Sequence, residues 1–245
     1  MRNIKMTLAY DGTRYNGWQK QGNTVNTIQG KLTDILSEIC DEEIELIGSG
    51  RTDAGVHAYN QVANFKTMAT FSLEDLKKNI NKKLESDICI KTAEEVDLRF
   101  HSRYNAVSKK YLYYIWNHVD INVFERKYSC HICTALNINK MKEAADLFIG
   151  THDFRGFSSD SRTKKSTVRT IYSIEITNNN GMLEILFHGN SFLYNMVRII
   201  TGTLIEVGLG LTDIIVIKDI FQNKKRQAAG YKVPPHGLFL NEVIY

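Results

Sequence analysis

The sequence predicts an α+β protein made of two β-α-β-β-α-β halves, and three observations carry that expectation. Apolar residues alternate in short runs, those runs are interleaved with segments of helical spacing, and one order of elements occurs twice. Residues 3–10 (NIKMTLAY) put Ile4, Met6, Leu8 and Tyr10 on one face of a first strand. Ile28, Leu32, Ile35, Leu36 and Ile39 recur at helical spacing and predict a helix over 27–40. EIELIG (43–48) and NQVANF (60–65) read as strands joined through a glycine-containing loop. Ser72 with Asp75 is a helix-start signature ahead of Leu73, Leu76, Ile80 and Leu84. DICIKTAEEV (87–96) then closes the half as a strand.

The second half runs in the same order. KYLYYIW (110–116) is a strand, and 139–149 is a helix ending at Gly150. RTIYSIEI (169–176) and MLEILFH (182–188) form a hairpin around TNNNG, followed by a helix over 191–208 and a last strand, GLFLNEVIY (237–245). Each half thus has the split arrangement of ferredoxin-like folds. What repeats is the order of elements, with little identity between the halves. Two prolines in the whole chain leave no proline-rich linker. The boundary is expected near residues 100–108, giving domains 1–104 and 105–245 whose sheets join edge to edge.

Composition narrows the class. A chain of 245 residues can bury a substantial core, and 43% hydrophobic with 24% charged residues is ordinary for a soluble globular protein. No apolar run approaches a membrane span, and MRNIKMTLAYDG lacks the apolar core of a signal peptide, so a cytoplasmic location is expected. Cys40 and Cys89 lie in apolar segments and are expected to be small buried hydrophobes. Cys130 and Cys133 form CHIC, but a closed zinc site needs more ligands and no second pair exists. Two reduced thiols in a strand or loop are expected there, and no metal. The net charge of +4 is mild but clumped at Lys77-Lys78, Lys82-Lys83, Lys109-Lys110, Lys164-Lys165 and Lys224-Lys225-Arg226. Such clumps, with aromatics close to several, suit a polyanionic partner.

One connection stands out. Where the second half turns on NNNG, the first half carries GSGRTDAGVHA (48–58). A dinucleotide fingerprint would need glycine at Asp53, and a P-loop would need Lys and Ser/Thr where Val56 and His57 stand. The loop therefore presents something other than backbone amides to a phosphate. Its distinctive group is the Asp53 carboxylate, which can serve as nucleophile or base. Arg51, two residues away, could hold it ionised by charge pairing. A cap or Asx-turn is the commoner use of such an aspartate, but a strand-like stretch follows it. His57, entering that strand, is expected to be a satisfied structural group.

Arg198 is flanked by Met196, Val197, Ile199 and Ile200. It either snorkels to solvent or faces a cleft and pairs with an acid, and the sequence leaves both open. Tyr111 follows Lys109-Lys110 and either packs, as Tyr113 and Tyr114 are expected to, or stacks on a base while the lysines hold phosphates. FHSRY (100–104) and SRTKK (161–165) repeat this mixture of cations with hydroxyl or aromatic groups, and solvated surface is the default for each taken singly.

GSGRTDAGVHAYNQVANF (48–65) resembles the signature of the TruA family of tRNA pseudouridine synthases. Other segments agree in order along nearly the whole chain: YDGTRYNGWQ (10–19), INKKLESDI (80–88), RFHSRYNAVSKKYLYYI (99–115), GTHDFRGFSS (150–159), SFLYNMVRIITGTLIEVG (191–208) and GLFLNEVIY (237–245). The resemblance implies two ferredoxin-like halves forming one continuous mixed sheet, with helices on one side and an active-site cleft between the halves. It implies isomerisation of uridine to pseudouridine in the anticodon stem-loop of tRNA, at positions 38, 39 and 40. On this resemblance Asp53 is the essential aspartate, acting as nucleophile at the sugar or as base toward its 2′-hydrogen. Arg51 helps flip the base and pairs with the aspartate, Tyr111 stacks on the uracil, and Arg198 salt-bridges the aspartate. Arg103, Arg162, Lys164 and Lys165 fall in segments that contact RNA. The family is expected to work as a homodimer with no cofactor or metal, gripping tRNA across both subunits.

That chemistry is physically consistent. A uridine leaving a stem costs a few kcal/mol of unstacking, and a tyrosine face returns roughly 1–3 kcal/mol per stacked base. An apolar wall such as Leu238 would help to exclude water. Two residues depart from the family pattern: Glu85 stands where proline is usual, and Ser191 where glycine often precedes FL. Neither touches the key positions. Two alternatives stand beside this one, a non-catalytic RRM-like RNA-binding module and a synthase of the same fold acting on other RNA uridines. The first would leave Arg51-Thr52-Asp53 without a purpose.

Overall fold

The computed structural model describes residues 1–22, 24–160 and 163–245. Its elements in chain order are β1 (Arg2–Tyr10), α1 (Ile28–Cys40), β2 (Ile47–Gly48), β3 (His57–Thr67), α2 (Leu73–Lys83), β4 (Ile88–Val96) and β5 (Ser108–Asn117). There follow β6 (Cys130–Ile132), α3 (Ile138–Asp146), β7 (Gly150–Asp153), β8 (Val168–Asn179), β9 (Met182–Gly189), α4 (Met196–Gly208), α5 (Ile215–Asn223) and β10 (Leu238–Ile244). The protein is α+β with mixed strand pairing. It divides into two compact units, Met1–Val107 with Phe239–Tyr245, and Ser108–Leu238. No helix among the described residues is long and apolar enough to cross a membrane.

The first unit has the predicted β-α-β-β-α-β order. β1 pairs antiparallel with both β4 and β3, and β2 pairs antiparallel with the other edge of β3. That edge also takes β10, parallel, with Phe239 opposite His57 and Leu240 opposite Ala58. Register sets Ile4 against Phe65 and Met6 against Ala63, so the apolar face of β1 continues across β3. These side chains are buried together with Ile28, Leu32 and Leu36 of α1 and Leu76 and Ile80 of α2. Both helices start on side-chain caps: Thr27 accepts from the Gly30 amide, and Ser72 from the Asp75 amide. A cap of this kind is worth about 1 kcal/mol.

The expected strand over 43–48 shrinks to Ile47–Gly48. Ile44 and Leu46 are still buried, but their backbone is claimed by α1: the Ile44 amide donates to Ser37 Oγ at 3.1 Å, and Gln29 Nε2 donates to the Leu46 carbonyl at 2.8 Å. Backbone groups satisfied by side chains have no need of a ladder.

In the second unit β5, β9, β8 and β7 pair antiparallel in that order, and the short β6 lies parallel to the end of β5, Cys130 opposite Ile115. The β8–β9 hairpin turns on Asn180 (φ 53) and Gly181 (φ 90). Two left-handed residues are what a type I′ turn demands. Helix α4 begins at Met196 rather than at 191, because Asn195 is left-handed (φ 60, ψ 8) and cannot carry the helix backward. Helix α3 stops at Asp146, and Gly150 (φ 108) opens β7. Helix α5 lies in a stretch with no predicted element. It carries Phe221, whose ring packs 5.2 Å from Phe157 and 5.8 Å from Phe148. Segment 229–233 lies directly on α4. A Cβ at Gly202 would stand 1.8 Å from the Tyr231 carbonyl, so glycine is what permits that approach.

Candidate active site

The Asp53 loop is braced by hydrogen bonds within its own unit. At its start the Ser49 amide donates to the Val62 carbonyl at 2.7 Å, and Ser49 Oγ donates to Gln61 Oε1 at 2.7 Å. Gln61 Nε2 returns a bond to the Gly50 carbonyl at 3.0 Å. One residue before Asp53, Thr52 Oγ1 shares a 2.8 Å hydrogen bond with the Tyr10 hydroxyl, while the Trp18 amide donates to the Thr52 carbonyl at 3.0 Å. Burial pushes the Tyr10 phenol well above its usual range, so this bond stays neutral at physiological pH. On the far side the Val56 amide donates to the Asp53 carbonyl at 3.1 Å, and Gly55 takes the positive φ of 77° that closes the turn.

Glycines bring neighbouring backbone against this loop. A Cβ at Gly12 would lie 2.0 Å from the Val56 carbonyl oxygen, and one at Gly17 would lie 2.6 Å from the Thr52 carbonyl oxygen. The Trp18 ring fills the space a Cβ at Gly48 would need. His57 is a structural group, as expected. It is 1% exposed, accepts at Nδ1 from the Gly12 amide at 3.1 Å, and stacks on Phe239 with centroids 4.6 Å apart. The sequence raised only Asp53, Arg51 and His57 here on chemical grounds. Gly12, Gly17, Trp18, Gln61 and Tyr10 were invisible as a frame, although the YDGTRYNGWQ segment holds most of them.

Arg51 has an exposed side chain, and its Nε donates to Gln19 Oε1 at 3.0 Å. Asp53 itself is half-buried.

The second unit positions Tyr111 and Arg198. Tyr111 lies on β5 opposite Phe187 and is 9% exposed; its ring meets Phe192 edge-on at 5.2 Å. Lys109 and Lys110 are half-buried just before it. Arg198 is 7% exposed, which excludes snorkelling to solvent. Its Nε donates to the Val233 carbonyl at 2.8 Å and its Nη1 to Asn195 Oδ1 at 2.9 Å. Val233 reaches it because Gly202 and Gly230 let segment 229–233 lie flat against α4. Arg103, Lys164 and Lys165 are exposed, and Arg162 lies outside the described residues. Cys130 is buried in β6, where desolvation raises its thiol pKa, and Cys133 is exposed. Cys89, expected inside, is exposed at the second position of β4, where alternation turns it away from the Ile88 and Ile90 face.

A family model described as tRNA pseudouridine synthase matches residues 6–105 and 144–245. The chain belongs to that family. Its relatives include a tRNA pseudouridine synthase A 2 of Bacillus cereus, 49% identical over the full length of both chains. A protein of the same name from Bacillus anthracis is 48% identical, again over the whole of both. Among solved structures, a Cbf5-Nop10-Gar1 complex aligns with 97% of this chain and 48% of its own, at 14% identity and a TM-score of 0.41, too weak a likeness to argue from. Pseudouridine synthases are isomerases, so membership removes the purpose of a purely non-catalytic RNA-binding module. The braced Asp53 loop falls inside the first matched block, and Arg198 with Asn195 and Val233 inside the second. Tyr111 lies outside both.

Proposed function

We propose that this member of the tRNA uridine isomerases forms pseudouridine at positions 38, 39 and 40 of the anticodon stem-loop, with Asp53 as the reacting carboxylate. The observation that carries the proposal is the loop itself: one aspartate held between Thr52, whose side chain and carbonyl are both hydrogen-bonded, and a glycine-closed turn. A rigid frame of this kind is what a reacting group needs, since a displacement of about 1 Å can cost on the order of 100-fold in rate.

The target uridine leaves its stack and enters the site. The bond from the uracil nitrogen to C1′ breaks, the base turns, and a carbon of the ring bonds to C1′ in its place. The proton lost at that carbon balances the one gained at nitrogen, so the product is an isomer. Asp53 either attacks the sugar as a nucleophile or takes its 2′-hydrogen as a base, and deuterium at C2′ separates the two, because only the second breaks that bond and shows a primary isotope effect. Tyr111 stacks on the uracil, Arg198 is the charge partner of Asp53, and Arg51, exposed, displaces the base. Arg103, Arg162, Lys164 and Lys165 grip phosphates. Resemblance to the family supports these roles, a homodimer and a cytoplasmic location.

Incubating the protein with unmodified tRNA and mapping pseudouridine chemically tests the proposal. Asp53→Ala should abolish formation while tRNA affinity stays within about threefold of wild type. A variant that modifies tRNA at the wild-type rate refutes the assignment of Asp53, and modification confined to other uridines refutes the assignment of positions.

A further inference from the structure

Asn195 precedes α4, where an asparagine ordinarily accepts a hydrogen bond from a backbone amide two or three residues on and so caps the helix. It makes no such bond. Its backbone is left-handed, φ 60 and ψ 8, a conformation that side chains disfavour and asparagine tolerates better than most. Its side chain is spent elsewhere. Oδ1 accepts from Arg198 Nη1 at 2.9 Å, and Nδ2 donates to Ser159 Oγ at 2.9 Å. Both Asn195 and Arg198 are 7% exposed, so these bonds are made away from water. The residue type best suited to capping a helix has been turned from capping to hold an arginine. Local departures of this kind persist where the surrounding geometry needs them.

The geometry gives the need. A guanidinium is planar, and bonds on two of its nitrogens fix both its position and its plane. Val233 supplies one acceptor through its backbone, out of reach of side-chain substitution. Asn195 supplies another, on a different nitrogen. Without it, a bond that sets the plane of the guanidinium is gone. Ser159, on the other side of Asn195, is itself fixed, its backbone amide donating to the Tyr194 carbonyl at 3.1 Å, so the Asn195 side chain is gripped from both ends.

We infer that Asn195 is a positioning residue for the isomerisation, acting through Arg198 by fixing the plane of its guanidinium. This rests on the reading of Arg198 proposed above. The test compares Asn195→Gly with Asn195→Ala, measuring single-turnover pseudouridine formation at saturating enzyme and tRNA affinity separately. Both variants lack the acceptor, but glycine accepts the left-handed backbone and keeps the variant folded even if alanine does not. Both should lose roughly 10- to 100-fold in single-turnover rate with affinity within about threefold.

If Asn195→Gly turns over like wild type, the residue supplies only a backbone conformation and the inference is overturned. Parallel losses of affinity and rate would overturn it too, by moving the role to RNA binding. In an Arg198→Lys background, Asn195→Gly should add little further loss, because the two act as a unit. A full additional loss there would show that Asn195 acts through something else. The Arg198→Lys control also separates the two readings. At wild-type turnover it would remove Arg198 from the reaction, and the inference with it; at reduced turnover beside an unaffected Asn195→Gly, the inference alone falls.

Discussion

Gly12→Ala tests whether the Asp53 loop is held by backbone packing. Gly12 sits in the short turn after β1, and its φ is not in the left-handed region, so alanine carries no conformational penalty there. The obstacle is purely steric. The new Cβ would lie 2.0 Å from the Val56 carbonyl oxygen and 2.6 Å from its carbon, both backbone atoms, where ordinary contact begins at 3.4 Å. Turn and loop must therefore part by about 1.4 Å, and neither has a side chain that can swing aside. Val56 is tied back to the Asp53 carbonyl at 3.1 Å, so the displacement passes to the aspartate. Overpacking of this kind costs about 1–3 kcal/mol, which for a chain of this length lowers Tm by roughly 2–12 °C. With Asp53 in its proposed role, a shift of that size should slow single-turnover pseudouridine formation on the order of 100-fold. Affinity for tRNA, which the proposed function assigns to exposed cations, should stay within about threefold. Gly22→Ala is the control, since a Cβ there meets nothing within 4 Å. If Gly12→Ala keeps wild-type rate and Tm, the loop is not held by this contact and its rigidity has another source.

Two further outcomes are expected. The His236 imidazole is pushed below its usual range, by burial first and then by the Arg198 charge, while its bond to the Ser129 carbonyl works the other way. Its folded value lies below the unfolded 6.5, so the unfolded chain binds that proton more readily. Stability from this group is complete above pH 6.5 and is lost as pH falls through the folded value. Tm should drop as pH falls below about 6.5, and His236→Gln should flatten part of that drop; an identical slope in the variant would remove His236 as its cause. Glu85, one of the two departures from the family pattern, bridges Arg14 at 2.7 Å and Lys31 at 2.6 Å on the surface. Glu85→Ala should lower Tm slightly at low salt and not at about 1 M salt, where the pairs are screened. An equal loss at both salt concentrations would mean that something other than charge is at stake.

The regular elements were legible where one signal acted alone. β1 announces itself by alternation, α1 by apolar spacing, α2 by apolar spacing behind Ser72, and the β8–β9 turn by its Asn-Gly pair. Elements whose boundaries depend on tertiary partners were not. The strand over 43–48 has the right alternation, yet Ser37 and Gln29 take its backbone groups. Helix α5 was missed because Ile214, Ile215, Val216 and Ile217 are β-branched and resemble a strand, while only Ile217 and Ile220 among its residues are buried. At the site, Asp53 stood out because its loop replaces a plain turn. Asn195 could not: the predicted helix over 191–208 takes it in as an ordinary helical residue, and only the structure shows its left-handed backbone and what its amide grips.

The pairing of β10 with β3 also constrains the order in which the chain can fold. Asn60 Nδ2 donates to the Asn241 carbonyl at 2.8 Å, across 181 residues of sequence, and Phe239 stacks on both His57 and Tyr59. The edge of β3 beside the Asp53 loop therefore stays bare until the residues near 240 have left the ribosome. At about 5–20 residues per second, that wait after Val107 is on the order of ten seconds. Throughout it the nascent chain shows an unpaired strand edge, a template for wrong partners. The Asp53 loop gains its last neighbouring strand only when β10 docks, so the first unit is begun early in synthesis and completed among the last.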